Sequence, residues 1–286
     1  MKFNTNKIVL GTAQLINNYG ATNVTFPKRK SGLRFLETAF ASGIRSFDTA
    51  PSYNSEKILG DFIKTNNLSK KINVFTKISS LNNKFCKNLI NRSIENSLQK
   101  LNTSIHTLFF HDPRDSIVFE KNIDFFLDLK EKFPIKNIGF SVYDPKDISF
   151  ANKYKLSLSF QFPYNIIDQR FSRIEFINYD KLFCRSVFLQ GILLNEVKKL
   201  NMPKKIILFQ DRYFNLLKKL NLEPLDLILS FLNNSKNFNH FIFGIDNIAQ
   251  LKKLLNFDFS DKVDLNLVKK INSFFCKKYK DPRTWS

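Results

Sequence analysis

The sequence predicts an α/β protein, a single (β/α)8 TIM barrel domain over residues 1–286. Three observations carry that reading. Strand-like and helix-like segments alternate from end to end, several strands are nearly continuous apolar runs, and no shift in composition marks a linker. Counting gives eight strands, which suits a closed barrel of repeated βα units. The competing architecture, an open doubly wound sheet, wants a GxGxxG turn after the first strand, and "VLGTAQLINN" does not supply it.

The elements follow in order. "KIVLGTAQ" is strand-like, and "SGLRFLETAFASG" has helical apolar spacing closed by Gly43. "RSFDTA" is a short strand, followed by the helix "SEKILGDFIKTNN" with Ser55 as its N-cap candidate. "INVFTKIS" is a strand and "KNLINRSIENSLQKLN" a long amphipathic helix. "IHTLFFHD" is a strand, "FEKNIDFFLDLKEKF" a helix, "IKNIGFSV" a strand, and "DPKDISFANKY" a short helix opened by Asp144-Pro145. "LSLSFQFPYN" and "LFCRSVF" are strands with a helical "RIEFINYDK" between them. Helices over 204–219 and 224–234 precede the strand "HFIFGI" and the helix "NIAQLKKLLNF".

Composition narrows the function classes. No apolar run is long enough to span a bilayer, and the start lacks a secretory signal pattern, so a cytoplasmic protein without a membrane partner is expected. Three widely spaced cysteines suit free thiols in a reducing compartment, and with three histidines out of ligand spacing no metal site is expected. The net charge of +20, from 45 Lys+Arg against 25 Asp+Glu, raises nucleic-acid binding as a hypothesis. The lysines are scattered through helical patches, which reads as a solvated surface with no specific nucleic-acid partner. A monomer or weak homo-oligomer acting on a small molecule is expected.

In a βα barrel, functional groups come from the C-terminal strand ends, where the loops converge. Strand two ends at Asp48 and leads to Tyr53, strand three presents Lys77, and strand four presents His111. Each has an ordinary reading: a turn aspartate, a packing tyrosine, a turn-capping histidine. Lys77 in an apolar strand is harder to dismiss, because a buried ammonium is costly unless paired, and Asp48 is its natural partner. One chemistry uses all four. Hydride arriving at a carbonyl carbon leaves charge on oxygen, which must be protonated. Tyr53 is the expected acid, Lys77 the ammonium that lowers its pKa, Asp48 the anchor of Lys77, and His111 the group that orients the carbonyl oxygen or relays a proton.

"GTAQ…YG", "FDTAPSYNSEKILG", "FTK" and "FFHDP" stand in the order and spacing of the aldo-keto reductase family, which the chain resembles over nearly its whole length. The resemblance implies reduction of an aldehyde or ketone at the barrel mouth with NADP as cofactor and NAD as the alternative, and catalytic roles for Asp48, Tyr53, Lys77 and His111. It implies cofactor contacts from Gly11 and Thr12, from Ser141 and Gln161 on the carboxamide, and from Arg185 beside the nicotinamide. Ser186, Leu189 and Gly191 would follow the pyrophosphate, with Gly244, Asn247 and Gln250 near the adenosine half. "GFSVYDP", "PYNIIDQRF", "RSVFLQGILL" and "DPRTW" resemble a bacterial branch found alongside surface-sugar assembly, which implies a sugar-type carbonyl.

The pattern departs from the family at three places. Val142 follows Ser141 where the family has asparagine, Arg185 stands where an aromatic stacks, and Ile245-Asp246 stands where the 2′-phosphate is gripped. A carboxylate there repels phosphate and suits a ribose hydroxyl. The altered nicotinamide contacts keep a second reading open, a barrel that retains NAD(P) as a regulatory subunit or for transient oxidation of a sugar. Phe26 to Arg29, the segment after His111, the "IIDQRF" loop and the tail near Trp285 are candidate substrate walls. Arg114, Arg170 and Arg173 either meet an anionic substrate or form surface ion pairs.

Overall fold

The computed structural model describes residues 4–16, 29–175, 178–196, 202–257 and 264–285. Eight parallel strands close into a barrel in sequence order: β1 Ile8–Gly11, β2 Ser46–Asp48, β3 Asn73–Ile78, β4 Ile105–Phe110, β5 Ile135–Ser141, β6 Ser159–Pro163, β7 Leu182–Arg185 and β8 His240–Gly244. Closure is set by β1, which pairs with β2 on one side and β8 on the other, Gly11 standing level with both Asp48 and Gly244. The expected barrel is therefore observed, and each expected strand is present with trimmed ends.

Two apolar layers hold it. Val9, Phe75, Phe109, Phe183 and Ile242 point inward and plug the barrel. Phe183 packs on Phe75 at 4.8 Å and on Phe109 at 5.3 Å between ring centroids, edge to face. The outward faces of the strands, such as Ile8, Leu10 and Phe47, join the helices in a second continuous core. That double burial explains why the strands read as unbroken apolar runs.

The helices are α1 Arg29–Ala41, α2 Glu56–Thr65, α3 Lys87–Leu101, α4 Ser116–Glu120, α5 Ile123–Leu127, α6 Leu129–Lys132, α7 Ser149–Tyr154, α8 Lys204–Lys219, α9 Pro224–Asn233, α10 Ile248–Leu255 and α11 Leu265–Phe274. Three local expectations are corrected. The single helix expected over "FEKNIDFFLDLKEKF" is broken into α4, α5 and α6; Asn122 leaves the helical region at φ −140° between the first two, and Asp128, itself helical, stands between the last two. The helix expected over "RIEFINYDK" is absent from its described residues 174–175 and 178–181: a 3-10 turn at Arg170–Arg173 ends where it would begin, and Asn178 sits in the left-handed region at φ 52°. Ser55 does not cap α2 with its side chain; its hydroxyl bonds Thr12 and Thr49 instead. Residues 26–28 of the expected wall lie outside the described residues, as does the Arg173 side chain.

Helices α2 and α3 cross at Gly60, where an added Cβ would overlap the backbone carbonyl of Lys100. Only a residue without a side chain allows that approach. Gly60→Ala is expected to cost about 2–3 kcal/mol, measured as a lowered urea midpoint at unchanged slope. An unchanged midpoint would mean the two helices separate freely.

Candidate active site

The mouth is organised around Asp48, the last residue of β2. Lys77 lies on β3, two residues beyond Phe75, which pairs with Asp48. Strand alternation therefore turns both side chains to the barrel interior. Lys77 Nζ lies 3.0 and 2.8 Å from the two Asp48 carboxylate oxygens and donates to the Thr49 carbonyl at 2.8 Å. Asp48 is 4% and Lys77 1% exposed, so this is a buried ion pair. Gln161, in the middle of β6, donates its amide N–H to Asp48 Oδ1 at 2.7 Å and ties the pair across the barrel. Behind it, the Thr12 hydroxyl donates to the Asp48 carbonyl at 3.0 Å and meets the Ser55 hydroxyl at 2.8 Å.

Tyr53 reaches this cluster from the 3-10 turn Pro51–Tyr53, started by a proline at its first position and closed by Asn54 in the left-handed region. Lys77 Nζ lies 4.9 Å from the centre of the Tyr53 ring. The His111 ring, at the end of β4, meets the Tyr53 ring edge to face, 6.1 Å between centroids and 88° between planes. The four groups singled out in the sequence are thus brought together at one end of the barrel.

The electrostatics depart from the sequence expectation. The Tyr53 phenol is pushed up from its ordinary value, by burial first and by the Asp48 carboxylate second, against the opposing pull of Arg185. The ammonium expected to lower it is held by Asp48, so the phenol faces a compensated pair and not a lone cation. His111 is pushed down to about 4 by burial, then by the positive charges of Lys77 and Arg185. Near neutrality the site therefore holds a protonated phenol and a neutral imidazole.

Two lobes open from this centre. The first is a cleft of about 110 Å³ reaching Asp48, Tyr53 and Gln161, lined by Gly11, Thr12, Gln14, Arg185, Ser186, Gly191, Gly244 and Asp246 among others. Glycine backbone and polar side chains line it along the strand ends. Gly244 lies close under the Gln14 amide, 2.6 Å from where a Cβ would stand. The loop after β7 holds Ser186, Leu189 and Gln190 at φ 56°, 47° and 55°, a strained conformation typical of ligand-shaped loops. Arg185 Nε is buried with no partner, an orphan donor beside the centre.

Not every expected contact reaches that cleft. Ser141 and Leu189 are buried, 2% and 0% exposed, and do not line it. Asn247 instead caps α10 by accepting the Gln250 N–H, and Gln250 lines a neighbouring cavity with Phe188, Leu194 and Lys253. Asp246, at the edge of the cleft, lies 3.4 Å from the Gln14 amide and 3.5 Å from the Gln250 amide. Burial raises its pKa against those two hydrogen bonds.

The second lobe, about 560 Å³, opens beside His111 and Tyr143. Tyr143 was not singled out in the sequence, nor was Arg283 of the tail. The Tyr143 ring lies between two guanidiniums, with Arg185 at 4.1 Å and Arg283 at 3.4 Å from its centre. Arg185 also donates to the Val142 carbonyl at 3.1 Å, so a planar cation does stack at this strand end, on Tyr143. The Trp285 indole donates to the Tyr279 carbonyl at 2.9 Å, which folds the tail on itself.

The solved structures that resemble this one include the glycerol dehydrogenase from Gluconobacter oxydans, at TM-score 0.69 and 18% identity over 96% of this chain and 93% of that one. A Pseudomonas aeruginosa protein described as a candidate aldo-keto reductase matches at TM-score 0.63 and 17% identity, over 87% of this chain and 88% of that one. At such identities the likeness concerns the fold. No curated protein matches the sequence. A model of the aldo/keto reductase family matches residues 7–272, a span that holds all eight strands and the buried Asp48–Lys77 pair, and the chain belongs to that family.

Proposed function

We propose that this protein is an NAD(P)H-dependent reductase of an aldehyde or ketone, of the sugar type, with Tyr53 as proton donor. The observation that supports it most is a protonated phenol beside a buried ion pair and a neutral imidazole, at the junction of two lobes. Bound in the first lobe, a reduced nicotinamide supplies hydride. Gly11, Thr12, Ser186, Gly191 and Gly244 would hold it along the strand ends, with Arg185 supplying an unpartnered N–H.

The residues divide the remaining work. Neutral His111 directs an N–H at the carbonyl oxygen and leaves proton transfer to Tyr53, since an imidazole titrating at about 4 carries no spare proton near pH 7. As charge grows on the oxygen, its basicity rises past that of the phenol, and the proton moves from Tyr53 Oη. The phenolate left behind lies beside Lys77, whose charge then has an anion to stabilise. The ammonium therefore acts on the product of the transfer more than on the resting acid. The raised phenol leaves Tyr53 protonated when a carbonyl arrives, the form that reduction uses. Steady-state loss of NADH or NADPH absorbance with simple aldehydes tests the proposal, and a protein that binds neither cofactor contradicts it.

NADP is the cofactor proposed, and the Asp246 carboxylate works against its phosphate. Asp246→Asn is expected to tighten NADPH binding by about tenfold relative to NADH, roughly 1.4 kcal/mol. A fluorescence titration of both cofactors reads this. Equal shifts for the two would remove Asp246 from their discrimination.

A further inference from the structure

We propose that the lobe beside His111 seats an anionic group, a phosphate or a carboxylate, carried by the substrate at a distance from its reacting carbonyl. This rests on the reductase reading for the word substrate, and on its own geometry for the anion.

Three Asp-x-Arg units, distant in sequence, converge on this one lobe: Asp112 with Arg114, Asp168 with Arg170, and Asp281 with Arg283. All three are built alike. The aspartate accepts the backbone N–H of the arginine two residues on, at 3.0, 3.3 and 3.0 Å. The arginine then folds back and grips the same carboxylate through Nε and Nη2. Nη1 is left over each time. On Arg170 it stands 3.7 Å from Asp144, beyond hydrogen-bond length, and on Arg114 and Arg283 it has no partner among the described residues.

Surface ion pairs of this kind are common, and one alone would carry nothing. Their placement separates these. In each pair the acid lies beneath and the guanidinium faces the lobe: side-chain exposures are 15% against 76%, 0% against 31%, and 20% against 57%. The guanidiniums therefore stand outermost in a lobe that also holds two more carboxylates, Asp144, 45% exposed, and Asp147, which accepts the Tyr143 and Asp144 N–H groups. Lys146, exposed at the same lobe, has no acidic partner among the described residues. The arginines are also held before any ligand arrives, Arg283 by stacking on Tyr143 and Arg170 by its buried aspartate. Holding them in advance removes part of the ordering cost of binding. Guanidinium edges match the paired oxygens of phosphate and carboxylate. His111 lines the lobe too, so an anion seated there leaves a carbonyl within reach of Tyr53 and His111.

The test uses the full chain and the double variant Arg114→Gln/Arg283→Gln. These are the two most exposed guanidiniums, whereas removing Arg170 would strand the fully buried Asp168. Inorganic phosphate and succinate are titrated calorimetrically into both proteins at low salt. Glyceraldehyde, glyceraldehyde 3-phosphate and succinic semialdehyde are compared as substrates. The wild type is expected to bind at least one anion at least tenfold more tightly than the double variant. A KM for the matching charged aldehyde at least tenfold below that for glyceraldehyde is expected, and the variant should lose that advantage. The tighter anion identifies phosphate or carboxylate. Anion binding that is lost in the variant, with no aldehyde reduced, upholds the anion seat and sinks the reductase reading. Anions bound equally by both proteins, or by neither, overturn the anion seat even where glyceraldehyde is reduced well.

Discussion

Tyr53→Phe is expected to lower turnover in carbonyl reduction by about a thousandfold, within the usual range for loss of a positioned general acid. Cofactor affinity should stay within about twofold. The substitution removes one oxygen and keeps the ring, so the edge-to-face contact with His111 and the position beside Lys77 survive. No neighbour is equipped to take over. His111 titrates at about 4 and is neutral in the working range, and the Lys77 ammonium is committed to Asp48 and the Thr49 carbonyl. Steady-state kinetics read the first quantity and a fluorescence titration of the cofactor the second. Turnover preserved at wild-type level would remove Tyr53 from its proposed role.

The second large effect is on stability and activity together. Lys77→Met leaves the Asp48 carboxylate, 4% exposed, with the Gln161 amide but without its counter-ion. Stranding one member of a buried pair costs about 3–5 kcal/mol, whereas replacing both members by neutral groups is far milder. The single variant should therefore unfold at markedly lower urea, and its folded fraction should turn over at least a hundredfold more slowly. Asp48→Asn in the same background should return most of the stability and none of the activity. That split separates the pair's structural part from its chemical one. Recovery of activity along with stability would mean the charges serve only the fold.

Much of this was legible in the sequence because a barrel turns strand alternation into position. Asp48, Lys77 and His111 are strand-end residues, and fixing the strands fixes the mouth they share. The conformation of each loop was less legible. Asn122 and Asn178 interrupt expected helices through backbone conformations that apolar spacing does not encode. The helix α11 is not among the expected elements, although Leu265, Val268, Ile271 and Phe274 stand at helical apolar spacing.

At the site, residue types were readable and their electrostatic balance was not. A lysine beside a tyrosine suggests a lowered phenol only until its distance from a carboxylate is known. At 2.8 Å from Asp48, its charge is compensated and burial dominates. The pairing of Tyr143 with Arg283 was not legible, because stacking between a strand end and a tail more than a hundred residues away has no local signature. The repeated Asp-x-Arg pattern was in plain view, and only the fold shows that its three copies share one lobe.

The central claim is that the acid is a phenol protonated throughout the physiological range. The pH dependence of kcat/KM for aldehyde reduction tests it most directly, because that ratio reports ionisations of the free enzyme. A phenol raised above its ordinary value gives a rate that stays level from about pH 6 through pH 10 and falls only beyond, as the donor loses its proton. A basic limb centred near pH 8, absent in Tyr53→Phe, would show a depressed donor and contradict this account.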